Sequence, residues 1–365
     1  MKKLFSLLLI AALLTACAAP GASVSGNTRT IIDHDGVEVV LPEKVERVVV
    51  CDILPLPSVL SVFFDSADKL VGISGTSMNA AEGGLLGELY PAILEAETGF
   101  IDGSTVNVEE LMKLQPDVVF YNASRTELGQ QLRTAGFPAV AVSVNKWEYD
   151  SIETLNNWIA LLSEIFPDND RTAIVEEYSD RIYDLVRERV ADIPDEDRER
   201  VLFLYQYSET NLLTSGGKFF GQWWADAIGA VNVAGELTTD NSVSVSMEQI
   251  YGWDPELIFI TNFTTAGPAD LYGNTVGTYD WSGIAAVEQQ RVYKMPLGMY
   301  RSYTPGVDTP ITLLWLAKTA YPELFGDIDI IAETKAYYHE VFGIELRDDQ
   351  AAAIFTPAAD AGAGF

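Results

Sequence analysis

The sequence predicts an α/β fold of two lobes, each a parallel sheet covered by helices, joined by a long α-helix. Three observations predict it. A helix–strand unit occurs twice without a gap: residues 108–120 align with residues 247–259, so that Pro116-Asp117-Val118-Val119-Phe120 answers Pro255-Glu256-Leu257-Ile258-Phe259. In each copy apolar residues at i, i+3 and i+6 mark a short amphipathic helix. Proline ends it, and the apolar run after the proline suits a strand buried on both faces. The flanks of the two copies also agree. Arg47-Val48-Val49-Val50 opens one lobe as Arg200-Val201-Leu202-Phe203 opens the other, and strand-like runs at residues 139–143 and 291–295 close the two series. Finally, a helical stretch separates the copies. Strands alternating with helices imply parallel pairing, hence two Rossmann-like lobes.

Taken in order along the chain, residues 4–14 are an apolar run behind Lys2 and Lys3, broken only by Ser6. The run is shorter than the ~20 apolar residues of a membrane helix and reads as the core of a signal peptide at residues 1–16. It ends in Leu14-Thr15-Ala16-Cys17, which resembles the bacterial lipobox. That motif places cleavage before the cysteine and a lipid on its thiol, so Cys17 is the expected lipidation site. Residues 17–28 then suit a loose tether, since residues 18–27 are small or polar and carry no charge. Residues 29–148 are the expected N-terminal lobe. Residues 149–195 form the linking helical segment. Pro167-Asp168-Asn169-Asp170 interrupts it, and Asp168 or Asp170 is placed to cap the second of its helices. From 171 to 191, Ile174, Tyr178, Ile182, Leu185 and Val186 make one apolar stripe. A helix of that length spans about 30 Å, enough to run along both lobes as a stiff spine. Residues 196–355 are the expected C-terminal lobe, and the small residues of 356–365 predict a disordered tail.

Composition excludes several classes of function. The chain carries 23 basic and 53 acidic residues, a net charge of −30, and loss of Lys2 and Lys3 would make it more negative still. That balance argues against nucleic acid and against broad contact with anionic lipid. With Cys17 acylated, Cys51 has no partner, so the fold must stand without a disulfide, and Cys51 reads as a buried thiol. His34 and His339 are the only histidines and lie far apart. No metal site and no cofactor are expected. Nothing resembles a nucleophile elbow or a zinc motif. The nearest approach to a phosphate loop, Ser215-Gly216-Gly217-Lys218, has Phe219 where a hydroxyl should meet magnesium and Leu212 where the first glycine should be.

Ligands of open α/β sheets sit beyond the carboxyl ends of the strands, which selects loops. In the first lobe these include residues 121–125 and 145–147, with Tyr121, Arg125 and Trp147. In the second they include residues 205–220, 262–272 and 298–304, with Tyr207, Lys218, Tyr300, Arg301 and Tyr303, and Trp223 just beyond the first of them joins the cluster at the lobe's entry. Arg301, between two tyrosines, is the leading candidate. A guanidinium there can pair a carboxylate, catecholate or oxyanion; the competing reading is an ion pair with Asp308. In a chain that is 11% aromatic, aromatic residues serve the core more often than a site. Trp223-Trp224 is expected to divide, one inward and one toward the cleft.

The order of these parts resembles a known family. The lipobox, the Val45-Glu46-Arg47-Val48-Val49-Val50 opening, the Leu70-Val71-Gly72-Ile73 strand, the Glu-Glu-Leu…Pro-Asp-Val-Val unit and the closing Leu314-Trp315-Leu316-Ala317-Lys318…Tyr321-Pro322-Glu323…Phe325 are similar to the iron-siderophore and vitamin B12 group of substrate-binding proteins of ABC importers. The resemblance covers about residues 30–350. It implies an extracytoplasmic, lipid-anchored, monomeric binding protein with a rigid spine and a cleft ligand. That ligand would be a metal chelate, foremost a ferric siderophore, with cobalamin, haem and molybdate or tungstate as alternatives. It implies a permease dimer with ATPase subunits as partner, met by one exposed glutamate from each lobe. Glu95 or Glu97 falls near the first such position and Glu236 near the second. The readings from other classes are a carboxylate-based hydrolase and a surface-interaction lipoprotein.

Overall fold

The computed structural model describes residues 27–358 and 362–363. The expected signal peptide, Cys17 and the tether up to residue 26 lie outside the described residues. A hairpin of Thr28–Ile32 and Glu38–Pro42 leads in. The first sheet comes next, in the order Leu70–Gly72, Val48–Val50, Val118–Asn122, Ala139–Val142, every neighbour parallel. In the second sheet Arg200–Tyr207, Leu257–Ile260 and Val292–Lys294 are parallel neighbours, and Val231–Asn232 pairs parallel with the first of them. Leu212–Ser215 and Ser242–Ser244 extend this sheet antiparallel, so the second sheet is mixed. The reason is local: Arg200–Tyr207 runs eight residues and turns back as a hairpin where the sequence suggests a loop.

The repeat is built twice with the same bonds. Helix Val108–Lys113 precedes strand Val118–Asn122, as helix Met247–Trp253 precedes Leu257–Ile260. Gln115 and Asp254, at matching positions before the prolines, both take left-handed backbone at φ 47° and 44°. The acidic residue after each proline clamps the opening strand. Asp117 Oδ2 accepts the N–H groups of Glu46 and Arg47 at 2.8 and 2.9 Å, and Glu256 Oε2 accepts that of Arg200 at 3.2 Å. Arg47 and Arg200 in turn donate to the carbonyls of Leu114 and Trp253, the ends of the matching helices.

Strand residues alternate between two cores, as the period of two requires. Val48, Val50, Val118 and Phe120 join Val201, Phe203, Leu257 and Phe259 in one continuous core. Val49, Val119 and Tyr121 face a core private to the first lobe, where Cys51 is wholly buried. Leu202, Leu204, Ile258 and Ile260 face one private to the second. The shared core is filled by helices Ser151–Ile165, Thr172–Val190 and Thr309–Ala320, through Trp158, Ile182, Val186 and Leu314 among others. Asp150 caps the first of these by accepting Glu153 N–H at 2.9 Å, and Asp170 accepts Thr172 N–H at 2.9 Å at the start of the second. Within Thr172–Val190 the buried stripe is Val175, Tyr178, Ile182, Val186 and Val190. Ile174, expected inside, is 41% exposed; one residue is a 100° step, and Val175 takes the inward place.

Candidate ligand site between the lobes

The lobes face each other across a cavity of about 810 Å³. One wall is residues 145–150, beyond strand Ala139–Val142. The other is residues 217–223, which lead from Leu212–Ser215 into helix Phe220–Ala227. Three of the candidates from the sequence, Trp147, Lys218 and Trp223, meet here. Tyr149 spans the gap: its hydroxyl donates to the Asp240 carbonyl at 2.8 Å, and its ring meets Phe219 and Phe220 edge-on at 5.4 and 4.9 Å. Trp223 stacks on Tyr183 while Trp224 is wholly buried, its Nε1 donating to the Tyr303 carbonyl. Trp147 stands edge-on to His34 at 5.0 Å. Among the described residues, Glu148, Asp150, Asp226 and Asp240 line the cavity against the cation Lys218. Burial raises the pKa of Asp150 and of Asp226. This mouth is electrostatically negative.

Behind Phe219 the character changes. Phe219 lies 5.9 Å from Tyr205 and 6.1 Å from Tyr303, and Tyr205 lies 5.1 Å from Phe263. The Arg301 guanidinium sits over Phe263 at 5.3 Å and near Tyr300 at 6.0 Å, with the residue only 1% exposed. Its Nη2 donates to the Ala363 carbonyl at 3.0 Å. The loop that presents it comes after strand Val292–Lys294 and is fixed at both ends. Asn262 Nδ2 donates to the carbonyls of Met295 and Pro296 at 2.9 and 2.8 Å. Asp308 accepts Met299 N–H at 2.8 Å and the Tyr338 hydroxyl. Gly298 is required there, because a Cβ would stand 2.1 Å from the Asp308 carboxylate. Asp308 therefore holds the loop's backbone, and burial lifts its pKa to about 6 against the pull of those bonds.

Lys294, at the end of the same strand, is the neighbouring cation. Its Nζ donates to the carbonyls of Thr264 and Ala266 at 2.6 and 2.7 Å. Burial first, and then the charge of Arg301, lower its pKa to about 7. Burial also lowers that of Arg301. Two desolvated cations that repel each other make this region positive inside a strongly acidic protein, and an anion held near both would relieve both.

Other candidates from the sequence are placed elsewhere. Tyr207 is 3% exposed in the private core of the second lobe, its hydroxyl accepting from Trp281 Nε1 at 2.9 Å. It belongs to the strand rather than to a loop, and inward alternation carries it away from the cleft. Tyr121 is fully buried, with Arg133 donating to its hydroxyl at 2.8 Å and Gly129 making room for the ring. Arg125 is paired with Asp52 at 2.8 Å, and Asp52 also accepts Asn122 N–H, which ties two strand-end loops together. Tyr303 is wholly buried, its hydroxyl accepting Gly221 N–H at 3.0 Å; Tyr300 is 4% exposed. Tyr300 lies beside the Arg301 guanidinium, and Tyr303 packs against Tyr205 at 5.6 Å. Glu95, Glu97 and Glu236 are exposed, and the backbone of Glu97 continues the edge of the first sheet through bonds to Val71 and Ile73. In the expected disordered tail, Gly362 is buried and Ala363 is bonded to Arg301. The guanidinium gives that stretch of backbone a partner inside the protein. The strand-end rule took in Phe263 within residues 262–272 without singling it out, and it passed over Lys294, the last residue of strand Val292–Lys294.

Known proteins share the fold. The family described as "Periplasmic binding protein" matches residues 58–297. The molybdate-binding protein MolA of Haemophilus influenzae is 26% identical over 362 residues, covering 93% of this chain and 98% of that one. A periplasmic solute binding protein from Veillonella parvula superposes with a TM-score of 0.79 at 28% identity, over 90% of this chain and 97% of that one. The structure of MolA with molybdate bound superposes with a TM-score of 0.72 over 87% and 99%, and at 24% identity it shows the fold.

Proposed function

Because the chain belongs to the periplasmic binding protein family, we propose that it collects a compact oxyanion of the molybdate class outside the cytoplasm and hands it to the permease of an ABC importer. It is a binding protein and not an enzyme. The observation that carries the ligand reading is Arg301: a guanidinium 1% exposed, beyond a parallel strand's carboxyl end, walled by aromatic rings and set beside Lys294. Planar donors in a desolvated pocket favour an oxyanion through charge-assisted bonds. The molybdate bound by the relative MolA supports the same class. Ferric siderophore, cobalamin and haem form the second reading, favoured by the cavity of about 810 Å³ with Trp147 and Trp223 on its walls. The buried Arg301 guanidinium, which lies outside the lining of that cavity, puts the oxyanion first.

In this reading Cys17 carries the lipid that holds the protein at the membrane. The protein works as a monomer, and Glu95 or Glu97 with Glu236 meets the permease. Native mass spectrometry of protein purified from its own host tests the ligand class. The expected result is a retained adduct of a small oxyanion; an adduct of several hundred daltons would replace it with the bulky chelate.

A further inference from the structure

The Arg301 guanidinium holds a piece of this chain. Helix Asp348–Phe355 ends the second lobe, and further on Gly362 is buried while the Ala363 carbonyl accepts from Arg301 Nη2 at 3.0 Å. The seat fits a residue with no side chain. A Cβ on Gly362 would stand 2.0 Å from the Thr264 carbonyl oxygen, 2.2 Å from its carbon and 2.8 Å from Thr265 N. These are backbone atoms and cannot swing aside. The same Thr264 carbonyl is fixed by Lys294 Nζ at 2.6 Å.

We infer that Gly362 and Ala363 are tethered occupants of the oxyanion subsite. The Ala363 carbonyl takes an Nη2 N–H of the guanidinium that the solute needs, so solute binds by displacing Gly362 and Ala363. The inference rests on the oxyanion reading of Arg301. It has a chemical consequence. A neutral carbonyl on a guanidinium is a weaker partner than a charged oxyanion, but a tethered one acts at an effective concentration in the millimolar range. The segment therefore yields to an oxyanion and holds the pocket against weaker acceptors. Apparent affinity is the intrinsic affinity reduced by the fraction of molecules with the segment displaced.

Two variants unseat the segment and leave Arg301, Lys294, Phe263 and Tyr300 untouched: Gly362→Val, and a chain ending at Ala358. Calorimetry with molybdate should show both binding about tenfold tighter than the full chain. A fluorescent peptide of residues 356–365 should bind the shortened chain, should not bind its Arg301→Ala form, and should be displaced by molybdate. Equal molybdate affinity in the variants and the full chain overturns the inference. So does a peptide that ignores the shortened chain, or one that binds it equally without Arg301. If no form binds molybdate, the oxyanion reading alone falls, and the peptide arm still decides whether the segment occupies the pocket.

Discussion

Affinity for an anionic solute should fall as pH rises through 7, with Lys294 as the titrating group. Burial and the charge of Arg301 bring its pKa to about 7 in the free protein. An anion beside Arg301 favours the ammonium form and moves that pKa back up. Binding is then full below pH 7, is coupled to proton uptake above it, and weakens until the pKa of the bound state is reached. Between pH 6 and pH 8 the protonated fraction of the free protein drops from roughly nine-tenths to one-tenth. The dissociation constant should therefore rise about tenfold, or about 1.4 kcal/mol. Calorimetry at constant ionic strength measures this, over a range in which the solute does not itself titrate. Buffers of different ionisation enthalpy report the proton taken up. Lys294→Met should flatten the profile. An unchanged slope in that variant, or no slope in the wild type, refutes the reasoning. The stability of the ligand-free protein moves the other way. The folded pKa lies below the ordinary lysine value, so the penalty is full below pH 7 and is relieved as pH rises from about 7 to about 10.

Three other outcomes are expected. Asp117→Ala removes the acceptor for the N–H groups of Glu46 and Arg47 and should cost about 1–3 kcal/mol, read as a lower urea midpoint with unchanged slope. Cys17→Ser should abolish metabolic labelling with a fatty acid and leave ligand affinity alone; labelling as strong as in the wild type would remove the lipid anchor from the account. Small-angle scattering should show little change in size when ligand binds, because one core runs through both lobes and the helix Thr172–Val190; a large compaction would mean that this core parts.

The repeat was legible in the sequence because its chemistry is local. Helix, proline, acid and strand lie within thirteen residues, and the structure reproduces even the left-handed turn at Gln115 and Asp254. The roles of Asp117 and Glu256 were not legible, since their partners lie 71 and 56 residues away. Periodicity found the spine helix but set its face one residue off at Ile174, where Val175 is the buried neighbour. At the site, the strand-end rule reached Arg301 and the loop around it. It also selected Tyr207 and Tyr121, because sequence position cannot tell a tyrosine at a strand's tip from one still inside the sheet. Lys294 escaped for the same reason in reverse: it sits within a strand, and its charge gains meaning only from Arg301 in the adjoining loop. Gly362 and Ala363 read as loose tail, since the groups that hold them lie some sixty to a hundred residues earlier.

In the proposed reading a buried guanidinium at position 301 anchors the oxyanion. Titration of molybdate into the wild type, Arg301→Ala and Arg301→Lys by calorimetry decides this. Loss of one partner from a buried charged contact should weaken binding by about 2–5 kcal/mol in Arg301→Ala. Arg301→Lys should recover only part of this, because an ammonium cannot make the planar two-bond contact. Normal molybdate binding by Arg301→Ala, in a protein whose ligand-free melting temperature matches the wild type, would contradict the account.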